Sequence, residues 1–157
     1  MATGAPKPAL PRSALARRGV VLGALALGGL AAMRWFNVGA TLDGTALSVS
    51  DAYNAARSGT LTLIDIRRPD EWARTGIPEG AVPLDMRDPD FVTKLLAQIS
   101  GPDAPVALIC ARGVRTRHLA SQLKIAGFTH IIDVPEGMSG SGAGPGWLAA
   151  GLPVTPL

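Results

Sequence analysis

Cysteine occurs once in these 157 residues, at Cys110, and its neighbours give it chemical interest. The stretch from Val106 to Leu123 reads VALICARGVRTRHLASQL. An apolar run stops at the cysteine, Gly113 follows, and Arg112, Arg115 and Arg117 lie close by. A thiolate is stabilised by inward-pointing backbone N–H groups, by the positive end of a helix and by guanidinium groups. The run Ala111, Arg112, Gly113, Val114 and Arg115 offers all three. Gly113 permits a left-handed or otherwise strained turn, a helix follows, and Arg112 and Arg115 are suited to holding an anion. Such a cradle fits a thiolate, a persulfide or a bound oxyanion. The competing reading is a buried thiol that merely ends a strand, since free cysteine is among the most buried residue types. For Arg112 and Arg115 the competing reading is a solvated surface charge.

The elements that must position this loop are legible around it. Val106–Ile109 reads as a buried strand delivering Cys110, and TRHLASQLKIAG as a helix with Leu119, Leu123 and Ile125–Ala126 inward and Gly127 as its stop. Upstream, Ser50 is placed to cap a helix over Asp51–Arg57 that ends at Gly59, and Leu61–Ile66 reads as a second buried strand. PDEWA predicts a short helical turn, GIPEGA a loop, and Ala81–Leu84 a short strand. In DPDFVTKLLAQI, Asp88 is placed as a cap and Pro89 as the first helical residue, with Phe91, Leu95, Leu96 and Ile99 on one face. His130–Val134 predicts a third buried strand, followed by a Gly-rich loop over Gly137–Gly146 and a short helix around Trp147–Ala150. Strands alternating with helices predict an α/β domain with a mostly parallel sheet, in which ligands sit beyond the C-terminal strand ends. Cys110 occupies such a position.

Charge is divided unevenly along the chain. Lys7, Arg12, Arg17, Arg18 and Arg34 precede residue 40 and no acid does, whereas from Thr41 onward ten basic residues face twelve acidic ones. The folded part is therefore not a basic nucleic-acid binder. One cysteine permits no internal disulfide, and with only His118 and His130 to assist it, a structural zinc site is not expected.

The N-terminal stretch RSALARRGVVLGALALGGLAAMRWF reads as a targeting element over residues 1–40, ahead of a domain over residues 41–157 and a linker at 37–46. Its basic part ends in Arg17-Arg18, and the uncharged apolar run from Gly19 to Met33 is short for an untilted membrane span. Paired arginines followed by Gly19-Val20-Val21 resemble the twin-arginine export signal of bacteria. The expectation is a periplasmic protein, with Val38-Gly39-Ala40 as a weak candidate cleavage site and cleavage itself left open by the sequence. The alternatives are an inner-membrane anchor through residues 19–33, with the domain in the periplasm, and a plain basic tail.

Four motifs, in order, carry a family resemblance: LIDIRRPDEW (Leu63–Trp72), GIPEGAV (Gly76–Val82), CARGVRT (Cys110–Thr116) and GWLAAGLPV (Gly146–Val154). Together they resemble the single-domain rhodanese-type sulfurtransferases, from Ser48 to about Val154. The resemblance implies a rhodanese-like three-layer α/β fold, its mostly parallel central sheet flanked by helices. It implies transfer of a sulfane sulfur from a donor such as thiosulfate to a thiol or cyanide-like acceptor through a persulfide, with no metal and no organic cofactor. By position Cys110 is the nucleophile, and Ala111, Arg112, Gly113, Val114 and Arg115 form the persulfide-binding loop. Asp65 and Arg67 are read as supporting scaffold, Glu71 and Trp72 as a turn clamp and a core aromatic, and His118 as a helix histidine without a proton-transfer role. Phosphatases of the same fold carry one residue more between cysteine and arginine. The six residues from Cys110 to Arg115 suit a sulfur and are tight for a phosphate.

Two departures stand out. The family's histidine before Ile-Pro is Gly76 here, with Glu79 as an extra residue, and the segment PEGMSGSGAGPGW is long where a short turn is usual. That segment is either a mobile lid that shapes donor choice or a connection with no role. The rival to an enzyme is a non-enzymatic module that binds or carries sulfur for a membrane or periplasmic partner; a redox-sensing thiol is a third reading.

Overall fold

The computed structural model describes Met1 and residues 46–157. The leader or anchor expected over residues 1–40, and all but Ala46 of the expected linker, lie outside the described residues. In chain order the elements are α1 (Val49–Arg57), β1 (Thr62–Asp65), α2 (Pro69–Thr75), β2 (Ile77–Pro78), β3 (Ala81–Pro83), α3 (Phe91–Leu96), β4 (Val106–Ile109), α4 (Val114–Ile125), β5 (Ile131–Asp133), α5 (Gly146–Ala149) and β6 (Val154–Thr155). Strands β3, β1, β4 and β5 form a parallel sheet in that order, with Leu63 opposite Ala81, Ile64 opposite Leu108 and Leu108 opposite Asp133. Ala46 bridges to Asp133 beyond β5, and the Leu47 N–H donates to the Asp133 carbonyl at 2.9 Å.

The alternation of side chains along each strand builds two apolar layers. Ile64, Ile66, Val106, Leu108, Cys110 and Ile131 face one side and pack with Phe91 and Leu95 of α3 and Leu119, Ala120 and Leu123 of α4. Leu63, Ala107, Ile109 and Ile132 face the other and pack with Val49 and Ala52 of α1, Met138 and Trp147 of α5. This is the helix–sheet–helix arrangement that the alternating pattern predicts. The central strands are apolar at every position of β4 because both faces are covered.

Several element ends differ from the sequence reading. Helix α1 begins two residues earlier: Ser48, not Ser50, is the cap, its hydroxyl accepting from the Asp51 N–H at 3.1 Å. Helix α3 begins at Phe91, not at Pro89. Asp88 instead closes the preceding turn by accepting from the Asp90 N–H at 2.9 Å. Ile125 was expected inward but is 89 % exposed; Phe128, just past the helix end, fills the core instead. The GIPEGA segment contains a strand, since β2 pairs antiparallel with β6 in a small second sheet. The space beside Gly76 is taken up by this pairing: a Cβ there would lie 3.0 Å from the Val154 side chain. A side chain there would require Val154 to give way and would sit at a φ of 74°, which favours glycine.

Candidate functional site

Strand β4 brings Cys110 to the C-terminal edge of the sheet, on the face covered by α4, with 1 % exposure. The backbone then turns sharply. Gly113 takes the left-handed conformation, at φ 75°, which a residue with a Cβ adopts at a cost. That turn points the Gly113 N–H at the Cys110 sulfur, 3.1 Å away. Helix α4 starts at the next residue, so its first N–H groups have no acceptor within the helix and add partial positive charge beside the sulfur. The Thr116 hydroxyl donates to the Gly113 carbonyl at 2.8 Å and so fixes the turn from the helix side.

The two arginines of the loop are placed differently. Arg115 is half-buried and forms a two-pronged ion pair with Glu71, each N···O distance 2.7 Å. Glu71 lies in the first turn of α2, where its carboxylate also accepts the Arg68 N–H at 3.1 Å. Held this way, the Arg115 guanidinium stands beside the Cys110 sulfur, and Glu71 first, then the sulfur, raise its pKa. The same pair lowers the Glu71 carboxyl to about 2, the hydrogen bonds from Arg115 being the largest cause. Arg112 is exposed, and its side chain has no hydrogen-bond or ion-pair partner among the described residues. Val114 is exposed and contributes through its backbone alone.

Asp65 and Arg67 form a buried pair at the end of β1. The Arg67 Nε and Nη2 donate to the Asp65 carboxylate at 2.7–3.0 Å. The remaining donors reach the Thr75 hydroxyl and the Gly76 carbonyl, both at 2.7 Å. The pair thus ties β1 to the far end of α2 and does not point at the sulfur loop's turn. Burial pushes the Asp65 carboxyl up and Arg67 opposes it. His118 is exposed, its Nε2 3.3 Å from Gln122 Nε2.

The sequence reading did not single out four residues around the loop: Arg68, Arg87, Glu136 and Asp133. An open cavity of about 420 Å³ is lined by Arg115, Glu71, Arg68, Met86 and Arg87, which places two further guanidinium groups near the loop. Arg87 is paired with Asp85. The only hint in the sequence was the basic character of IRR and DMR, segments distant from the cysteine. Glu136 is buried, and its two carboxylate oxygens accept the N–H groups of Val49 and Gly146, each at 3.1 Å. Asp133 is buried under the first turn of α4.

The Gly-rich segment is a brace against the back of the loop. The Met138 N–H donates to the Cys110 carbonyl and the Ser139 N–H to the Ala111 carbonyl, both at 2.9 Å. A Cβ on Gly137 would lie 2.5 Å from the Ala111 carbonyl oxygen, and one on Gly146 would lie 2.2 Å from the Gly140 nitrogen. The glycines are needed for close approach, and through Met138 and Ser139 the start of the segment holds two carbonyls of the loop.

Comparison with known proteins agrees with this architecture. The family model for the rhodanese-like domain matches residues 48–142. The polysulfide-sulfur transferase homodimer of Wolinella succinogenes is similar in structure, with a TM-score of 0.56 and 29 % identity over 72 % of this chain and 79 % of that one. The Alr3790 protein of Anabaena sp. shares the fold at a TM-score of 0.56 and 19 % identity, over 71 % of this chain and 92 % of that one. A thiosulfate sulfurtransferase from Pseudomonas aeruginosa does so at 0.58 and 20 %, over 71 % of this chain and 20 % of that one. Among curated protein sequences none matches the chain.

Proposed function

The chain belongs to the rhodanese-like domain family, and from that premise we propose that it is a sulfurtransferase working through a persulfide on Cys110. The observation that carries this reading is the aim of the Gly113 N–H at the sulfur from a loop that ends in the Glu71-held Arg115. In the first half-reaction the Cys110 thiolate attacks the sulfane sulfur of an anionic donor such as thiosulfate. A new S–S bond forms, the donor's S–S bond breaks, and sulfite leaves with the electron pair. The Gly113 N–H and the start of α4 stabilise the thiolate before attack and the persulfide anion after it. Arg115 is placed to hold the donor's oxyanion and the leaving sulfite, with Arg68 and Arg87 around the same cavity. In the second half-reaction an acceptor, a thiolate or cyanide, attacks the outer sulfur and restores the Cys110 thiolate. Similarity to a structure named a polysulfide-sulfur transferase supports polysulfide as a further donor of this class.

Intact mass after mixing with thiosulfate or polysulfide tests the reaction. The wild type gains one sulfur and Cys110→Ser gains none, and subsequent cyanide removes the sulfur as thiocyanate. Absence of the adduct with both donors overturns the reading, and an adduct that cyanide discharges only slowly makes the protein a sulfur carrier. The proposed place of action is the periplasm, reached by the segment around Arg17-Arg18. Unchanged delivery of an Arg17→Lys, Arg18→Lys variant in fractionated cells would exclude the twin-arginine route.

A further inference from the structure

Asp133 is the last residue of β5 and is fully buried. Neither oxygen of its carboxyl has a hydrogen-bond partner among the described residues. Buried polar groups are nearly always partnered, so an orphan of this kind calls for an explanation. Strand alternation sets its direction: Ile131 packs in the α3–α4 layer and Ile132 in the opposite one, so Asp133 shares the face of Ile131, Leu108 and Cys110. The register sets it opposite Leu108, two residues before the cysteine.

The first turn of α4 lies over that face. Thr116 is fully buried there, next to the Asp133 carboxyl, yet its hydroxyl is turned toward the Gly113 carbonyl at 2.8 Å. Gly113 in turn donates its N–H to the Cys110 sulfur at 3.1 Å. Arg117 is the charged group that acts on Asp133, and its own Nε and Nη2 are buried without partners. The other elements beside Asp133 face it with uncharged residues, Leu108 of β4 and Ala46 and Leu47 of the preceding chain. His118 of α4 is exposed, against Gln122.

We infer that Asp133 is a positioning residue for the sulfur-holding loop, acting through the single hydroxyl proton of Thr116, with Arg117 as its counter-charge. A hydroxyl has one hydrogen to donate. When Asp133 is neutral, it carries no charge to compete for the Thr116 hydrogen, which stays on the Gly113 carbonyl. When Asp133 is ionised, its carboxylate is the stronger acceptor and draws that hydrogen away. The anchor of the residue that holds the sulfur is then loosened, and the thiolate is less well stabilised. Burial pushes the Asp133 carboxyl up to about 6, against the opposing pull of the Thr116 hydroxyl, the Arg117 charge and the nearby Val134 N–H, so the exchange falls just below neutral pH. A carboxyl without partners under the working loop is in this way a tuning device for the loop.

The inference rests on Cys110 being the reactive sulfur, and its test reads that sulfur without requiring sulfur transfer. Iodoacetamide alkylates the thiolate with loss of iodide, and the chain's one cysteine makes the mass label unambiguous. The pH profile of the alkylation rate is expected to show two steps in the wild type, the lower near 6. Asp133→Asn is expected to show one step, displaced to lower pH, with rates near neutrality changed about two- to tenfold, the range for weakening one hydrogen bond. Thr116→Ser keeps the wild-type profile, and His118→Asn keeps the lower step. In a Thr116→Val background Asp133→Asn has no further effect. A wild-type profile with a single step overturns the inference without any variant. A profile of folded Asp133→Asn that superimposes on the wild type also overturns it. Persistence of the Asp133→Asn shift in the Thr116→Val background assigns the effect to direct charge repulsion and overturns the role through Thr116.

Discussion

Glu71 and Asp133 show how two carboxyl groups near one sulfur are driven in opposite directions. Glu71 is held by Arg115 and lowered from 4.5 to about 2. The folded state therefore binds its proton less readily than the unfolded chain, and the pair stabilises the fold at pH values above the unfolded value, losing that contribution as pH falls toward 2. Glu71→Gln is expected to cost about 1–3 kcal/mol in urea unfolding near neutral pH, reduced by the partial solvent access of Arg115. It should also lower kcat/KM for thiosulfate by about ten- to a hundredfold, because the guanidinium loses its fixed place. Unchanged kinetics in a folded variant would mean that Arg115 does not need Glu71. Asp133 goes the other way, from 3.8 to about 6 through burial. Here the folded state binds the proton more readily, so stability is lost as pH rises through about 6. A shift of roughly two units corresponds to at most about 3 kcal/mol, and Asp133→Asn should therefore stabilise the protein by about 1–3 kcal/mol near neutral pH while having little effect below pH 4. Equal stability of the two proteins at both pH values would contradict this. A buried carboxyl pushed this far from its ordinary value, close to the Cys110 loop, is the arrangement expected of a functional group rather than of a packing one.

At the scale of elements, the loop is held from both ends: by α4 through Thr116 and by the Gly-rich brace through Met138 and Ser139. Gly137→Ala brings a methyl group to 2.5 Å from the Ala111 carbonyl oxygen at a φ of 68°. The loss of stability should exceed about 1 kcal/mol, since the backbone strain and the clash add. The alkylation rate of Cys110 should change with it, and a variant that alters neither would show that the brace is slack. The length of each element determines how far it was legible in the sequence. Val106–Ile109 is a continuous apolar run between turn residues, and its limits are those of the observed strand. Strands β2 and β6 are two residues each and distant in sequence, so neither has a period of its own, and only their pairing defines them. Ser48 and Ser50 are both acceptable caps by type, and the choice falls to Ser48 because Val49 must enter the core. The cysteine, Gly113 and Arg115 were legible because they are close in sequence. Glu71 as the holder of Arg115 was not, since the two are 44 residues apart. Asp133 looked like an ordinary strand end, because burial of its oxygens is a property of the packed helix above it.

For the whole molecule, the Asp65–Arg67 pair joins the central sheet to the small one. Arg67 is 2 % exposed and links the end of β1 to Thr75 and Gly76, from which β2 runs to its partner β6. Trp147 closes the same circuit, its ring N–H donating to the Pro153 carbonyl at 2.9 Å. Arg67→Ala leaves a buried carboxylate without its partner and is expected to cost about 3–5 kcal/mol in denaturant unfolding. A cost below about 1 kcal/mol would show that solvent reaches Asp65 in the variant. The sheet that these contacts hold in place separates two dissimilar interiors, and this makes the site depend on parity. Cys110 lies with Val106 and Leu108, on the side of α4 and Arg115; Ala107 and Ile109 lie with Trp147 and Met138. Adding or removing one residue within Val106–Ile109 would turn the sulfur into the Trp147 layer, out of reach of every group that stabilises its charge. Keeping the sulfur on the side of α4 and Arg115 thus fixes whether the regular strand is odd or even in length, a constraint on residues that lie outside the loop.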